Sequence, residues 1–499
     1  MRARFIAVGW VVAVTLGAGC GGNDGAGLFT PDDAGGVDAG GDDGALDSTV
    51  DAGEDATVDA GRDASPDGGA DAPVDAPLDA PADARDASVG CDPVGAPYHF
   101  HVNPVSGTDA PGGTGSGTQN GAPSSACALK TITHALSLLP PSAPAGTQII
   151  VDVTSTIAAG ESFPIAIPAN VVILGAVGAN VTVAVPAGTN GFGISTAGAG
   201  LANLVLDGSS QAAQNGIVSA GGALGTITGV EVMNFAAAGI RMESGKLTID
   251  GGTYVHQNGA SGSKVPGLRV LGDATATILG GTIAAPTRFS QNAGAGIDVS
   301  ELATVQMTGT LAANMLGIGT VVVDKNGAQG ITIAQALVKL PPFPPASSIT
   351  GVVAADNGTM GVEVLGGSAL TLRGSVMLKN GMHGVNVAGN PAGAVGDDFD
   401  DIARIDLGTA GIINPSYGKN VVQDDNAFNQ GVGICLALRN APASVGQKLK
   451  AAGNIFSATI DCSQMSAVLK SNKCNAGSNG PLGITGTLDS FDVTMCSYN

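Results

Sequence analysis

Short alternating runs, rather than helical spacings, organise most of the chain. Gly361-Val362-Glu363-Val364, Ala369-Leu370-Thr371-Leu372-Arg373 and Ser375-Val376-Met377-Leu378 each alternate apolar and polar positions or form a short apolar run, with Gly366-Gly367 and Gly374 between them. Short runs bounded by glycine read as β-strands. Three strands and three turns between Gly361 and Gly384, 23 positions apart, make one coil of a three-sided β-helix. The alternation places Val362, Val364, Leu370 and Leu372 inside, and Glu363 and Thr371 outside.

The coil recurs. Lys325-Asn326-Gly327-Ala328-Gln329-Gly330-Ile331-Thr332-Ile333, Asp356-Asn357-Gly358-Thr359-Met360-Gly361-Val362-Glu363-Val364 and Lys379-Asn380-Gly381-Met382-His383-Gly384-Val385-Asn386-Val387 are close copies. Looser copies open at Asn234, Asn258 and Asn292. The motif glycines at 239, 267, 296, 330, 361 and 384 are separated by 28, 29, 34, 31 and 23 residues. A spacing that varies by insertion is the signature of a solenoid. Leu247-Thr248-Ile249, Thr277-Ile278-Leu279 and Val305-Gln306-Met307 read as earlier copies of the second run. Asn and Gly suit corners that need positive φ, and stacked Asn side chains can hydrogen-bond along the column.

The residue x of Gly-Ile-x-Val points away from the core. In successive coils it is Arg241, Arg269, Asp298, Thr332, Glu363 and Asn386. Direct stacking sets neighbours about 4.8 Å apart and makes a polar stripe, the one arrangement here suited to facing a polysaccharide.

The ends differ from the body. Ala128 to Leu139 has Ile132, Ala135, Leu136 and Leu139 on one helical face and stops at Pro140-Pro141. Such a helix would cover the open edges of the first coil. Residues 91–146 are therefore read as an N-terminal cap, 147–434 as the β-helix, and 435–499 as C-terminal coils with a cysteine-containing cap.

Residues 1–20 have another purpose. Arg2 and Arg4 precede the apolar run Phe5 to Leu16, which is too short to span a bilayer, and Gly17-Ala18-Gly19 then leads to Cys20. This resembles a bacterial lipoprotein signal, although Gly17 stands where that family usually has Leu. The resemblance implies a lipid on Cys20 and, with Gly21 following, the outer membrane. Residues 21–90 carry 18 acidic groups against Arg62 and Arg85, much of it as Asp-Ala pairs among Pro and Gly. They hold most of the chain's net charge of −21 and read as an extended acidic tether without a core. This balance argues against nucleic acid as a partner.

Six cysteines remain beyond Cys20: Cys91, Cys127, Cys435, Cys462, Cys474 and Cys496. An even count in an exported chain suggests three disulfides among 15 pairings. Sequence proximity favours Cys91–Cys127, Cys435–Cys462 and Cys474–Cys496.

Tyr98-His99-Phe100-His101-Val102-Asn103, Gly107-Thr108-Asp109 and Lys130-Thr131-Ile132 resemble the opening of exported bacterial right-handed parallel β-helix proteins of unknown function. Glu161 to Pro168, closing at Leu174-Gly175, looks like their first coil. Asp406-Leu407-Gly408-Thr409 and Leu438-Arg439-Asn440 with Ala452-Gly453-Asn454 resemble their C-terminal signatures. The resemblance covers about 97–460 and implies an all-β, pectin-lyase-like right-handed solenoid. It fixes no activity, because function belongs to sites rather than folds.

Candidate chemistry is thin. The hydrolase set of N-x-D, D-D, G-H-G and R-x-K is incomplete, and His383 reads as an exposed turn histidine. Asp397, Asp398, Asp400 and Asp401 form a dense acidic loop with the oxygens a calcium ion would need. No other cofactor is suggested, and no catalytic residue is assigned. The sequence favours a monomeric, non-catalytic surface lipoprotein for glycan or surface contact. The competing reading is a polysaccharide lyase or glycoside hydrolase.

Overall fold

A computed structural model describes residues 90–388, apart from 111–112, 158, 223, 314–316, 336–345 and 366. It further describes 404–409, 416–422, 434–437, 450–451 and 454–456. Cys20, the proposed tether up to residue 89, the acidic group Asp397, Asp398, Asp400 and Asp401, and Cys462, Cys474 and Cys496 lie outside the described residues. Cys435 contributes only backbone, within the strand Ile434–Ala437.

Every third strand pairs with the next, and all three long sheets are parallel. Among the described residues, the first sheet has 11 strands, from His99–Val102 to Ile405–Asp406. The second has 11, from Ser155–Ile157 to Ile455–Phe456, and the third has 10, from Ile165–Ile167 to Ile434–Ala437. This is a right-handed parallel β-helix, the hand that parallel crossovers favour. The first sheet opens at His99, inside the segment read as a cap.

Alternation fills the core with stacked aliphatic columns. In the first sheet Ile149, Ile173, Leu201, Ile227, Ile249, Ile278, Met307, Ile349 and Leu372 follow one another in register. All are buried, each worth about 1.5–3 kcal/mol relative to exposure. Ile249 faces Ile278, so the copy Thr277-Ile278-Leu279 is one residue out of step with Leu247-Thr248-Ile249. Val362, Val364, Leu370 and Leu372 are buried as the alternation requires.

The corner between the second and third sheets explains the Asn-Gly motif. The Nδ2 groups of Asn258, Asn292, Asn326 and Asn357 each donate to Oδ1 of the next asparagine, ending at Asn380, at 2.9–3.0 Å. Positive φ belongs to the preceding residue, as in Gln257, Gln291, Lys325, Asp356 and Lys379, not to the ladder asparagine. Asn234 therefore opens no rung: it occupies the positive-φ position, and Phe235 takes the ladder place, its N–H donating to Asn258 Oδ1 at 3.1 Å. The motif glycines serve close approach. A Cβ on Gly330 would lie 2.5 Å from Gly361 O and 2.7 Å from Asn357 Nδ2.

The capping helix is α1, Ile132–Ser137, half the length that the pattern suggests. Leu129 is drawn into the first sheet instead: its N–H donates to His101 O at 2.9 Å, and its carbonyl accepts from Asn103 N at 2.7 Å. Asp109 accepts from Lys130 N at 2.8 Å and from the Thr131 hydroxyl at 2.7 Å. Glu161 then accepts from Ile132 N at 2.7 Å and Thr133 N at 2.8 Å, placing a carboxylate at the helix start. Cys91 and Cys127 form a disulfide beside this cap. No helix among the described residues is long and apolar enough to cross a membrane.

Candidate functional site

Outward positions of the third sheet fall on one continuous column. Strand pairing sets Arg241 opposite Arg269, Arg269 opposite Asp298, Asp298 opposite Thr332, Thr332 opposite Glu363, and Glu363 opposite Asn386. At about 4.8 Å per rung, the six residues cover roughly 24 Å of the solenoid.

The basic end is neutralised locally. Arg241 Nε lies 2.9 Å from Glu243 Oε1, although its N–H is not aimed well enough for a hydrogen bond. Arg269 Nε is 3.6 Å from Asp298 Oδ2. Both arginine side chains are well exposed, so these pairs are worth little.

The other end departs from a solvated stripe. Glu363 keeps 9% of its surface and Asn386 only 4%, although their chain neighbours Val362, Val364, Val385 and Val387 fill the core side. Neutral amides close over the carboxylate: Gln329 Nε2 donates to Glu363 Oε2 at 2.6 Å, and Asn386 Nδ2 donates to Oε1 at 3.1 Å. Burial pushes the Glu363 carboxyl above its ordinary range, and the two amides pull it back. Asp298 is pushed up by burial too, with Arg269 opposing. Asn386 Oδ1 is buried without a hydrogen-bond partner.

Gln329 is the member of this site that the sequence reading missed. It precedes the motif glycine Gly330 at a variable position of the repeat, where Met360 and His383 stand in later coils. Its backbone place is visible in the repeat, but its reach to the carboxylate in the next coil is not. His383 is buried at 3% exposure rather than lying on an open turn, and its carbonyl accepts from Gly361 N at 2.9 Å.

A second polar cluster lies on the outer face of the second sheet. His256 Nε2 is 2.8 Å from Glu231 Oε1, and the His256 ring stacks on Tyr254 with centroids 3.9 Å apart. Arg288 Nε donates to Asp324 Oδ1 at 2.8 Å, and this bond holds the guanidinium above its ordinary pKa. Here Glu231 faces an imidazole and Asp324 a guanidinium, which reads as a structural cover for the sheet. Among the described residues, no group of three or more His, Cys, Asp or Glu is placed to hold a metal ion.

No family model and no curated protein matches the chain. Several solved structures are similar to it at low identity. The A-module of the Azotobacter vinelandii mannuronan C-5 epimerase AlgE4 is 18% identical, with a TM-score of 0.42 over 62% of this chain and 80% of that one. The A-module of AlgE6 from the same organism is 15% identical, with a TM-score of 0.39 over 62% and 78%. The Dettilon tailspike protein is 15% identical, with a TM-score of 0.32 over 73% and 67%. At these values the strand pairing, not the likeness, defines the architecture.

Proposed function

We propose that the protein is a lipid-anchored, non-catalytic surface protein that contacts polysaccharide along the third-sheet column. The observation that carries this reading is the in-register row from Arg269 to Asn386, which ends in a buried carboxylate and an unpartnered amide oxygen. Planar amide and carboxylate groups at regular spacing suit the repeating hydroxyls and substituents of an extended glycan, and an unpaired buried acceptor is a place where a ligand donor gains most. The parallel sheet supplies a stiff base that holds these groups in place without ordering cost on binding.

In this reading the lipid on Cys20 ties the protein to the outer membrane, and residues 21–90 act as a spacer. The acidic group Asp397, Asp398, Asp400 and Asp401 remains a candidate calcium site. Affinity electrophoresis of the full mature chain against a panel of neutral, acidic and amino-sugar polysaccharides tests the glycan contact. Retardation by at least one of them, lost in Thr332→Trp without a change in melting temperature, is the expected result. Equal mobility on every polysaccharide would overturn it.

A further inference from the structure

We propose that the ligand of the Thr332–Glu363–Asn386 stretch carries an ammonium group, so that the polysaccharide is one built from amino sugars with free amines. This deepens the glycan reading of the same column and rests on it.

Glu363 is a buried carboxylate whose described partners, Gln329 and Asn386, are both neutral amides. Buried charges in proteins are ordinarily paired, because the loss of hydration is large. The other buried carboxylate among the described residues keeps that rule, Asp324 having Arg288, and the half-buried Asp406 has Arg373. Among the described residues Glu363 is the exception, and the atom beside it lacks a donor altogether. Asn386 Oδ1 is an acceptor without a donor, in a residue that is nine-tenths buried. Asn386 Oδ1 therefore calls for a donor and Glu363 for positive charge.

An ammonium meets both demands. It has three N–H donors and no acceptor, so once the Asn386 amide turns outward it can donate to Glu363, to Asn386 Oδ1 and to the Thr332 hydroxyl on the rung below. A neutral sugar hydroxyl supplies a donor but leaves the carboxylate uncompensated. A uronate or sulfate brings a like charge to Glu363 and an acceptor to Asn386 Oδ1, and both are unfavourable. Asp298 adds a second carboxylate two rungs from Glu363, roughly 9.6 Å along the axis, held by Arg269 only at 3.6 Å. A glycan lying along the column would thus pass two acidic positions, as a chain with recurring amines requires. Lysine side chains and polyamines share the ammonium head group but lack flanking ring hydroxyls for Thr332 and the exposed side of the column.

Isothermal titration calorimetry on the full mature chain tests this with a glucosamine oligomer, its fully N-acetylated form, a galacturonate oligomer, spermidine and a lysine-rich peptide. The glucosamine oligomer is expected to bind at least about tenfold more tightly than any of the others. Glu363→Gln should weaken it at least about tenfold. Thr332→Lys, which places an ammonium next to Glu363 from within the chain, should abolish binding while leaving the melting temperature unchanged or raised. Equal binding of the acetylated oligomer, or unchanged affinity in both variants, would overturn the ammonium assignment and leave the glycan contact standing. Tighter binding of spermidine or the peptide would overturn the amino-sugar assignment. Failure of every glycan to bind would remove both readings together.

Discussion

Asn326 Nδ2 donates to Asn357 Oδ1 at 3.0 Å and to Phe289 O at 3.1 Å, so a single amide links three coils of the solenoid. Its own Oδ1 accepts from Asn292 N at 3.1 Å and Asn292 Nδ2 at 3.0 Å. Asn326→Ala would strand several buried groups at once. Each costs about 1–3 kcal/mol when left unpaired, so a loss of about 3 kcal/mol or more is expected. Asn258→Ala, at the end of the ladder, removes fewer of these contacts and should cost less. Denaturant titration of both variants gives the order; a smaller loss for Asn326→Ala would contradict the ladder as a stabilising spine.

Gly330 faces that spine without room for a side chain. Its Cβ would meet Gly361 O at 2.5 Å and Asn357 Nδ2 at 2.7 Å, neither of which can move without breaking the rung. Gly330→Ala should lower stability by about 1–3 kcal/mol, as overpacking does. Gly95→Ala, with nothing within 4 Å, is the control and should be nearly neutral. A melting temperature for Gly330→Ala equal to the control would show that the glycine is not required for packing.

These two residues also show what the sequence could reveal. The repeat announced a coil of three strands because alternation has only one solution when glycine bounds every run, and Val362, Val364, Leu370 and Leu372 are buried accordingly. The register of the Arg241–Asn386 column was legible for the same reason. Less legible was the division of labour at the corner: Asn234 and Asn258 look alike in sequence, yet only Asn258 is a rung, because Asn234 follows Met233 directly and takes positive φ, whereas Asn258 stands two residues after the paired His256. The length of α1 was misread because Leu129 suits a helix face and a sheet edge equally, and the backbone donors of the first strand decide between them. The closure of Glu363 by Gln329 is a contact between coils, which no local pattern encodes.

Leu372 and Thr371 test the strand face directly. Leu372 stacks on Ile349 inside the core and is fully buried, whereas Thr371 points outward in register with Asp406. Leu372→Asp should cost several kcal/mol, about 3 or more, since an unpaired charge would enter a dry column. Thr371→Asp should cost under about 1 kcal/mol, as surface changes usually do. Thermal melts of the two variants decide the matter, and a larger loss for Thr371→Asp would require the opposite register.

Glu363 makes the stability of the solenoid depend on pH in a definite direction. Burial raises its carboxyl above the ordinary value of 4.5, which the unfolded chain keeps. Below that value the group is protonated in both states, and its contribution to stability is fully present. As the pH rises past 4.5 the unfolded chain ionises first, so unfolding is favoured progressively until the pH passes the folded value. Glu363→Gln removes this titration while keeping the shape of the side chain. Asp298, which is raised by burial in the same way, is present in both proteins and cancels in the difference. The stability of the native protein relative to Glu363→Gln should therefore fall as the pH rises past 4.5 and level off once the pH has passed the folded value. Melting curves of the two proteins across that range measure it. Parallel curves would mean that Glu363 titrates as an open carboxyl, and the closed amide cover described around it would have to be given up.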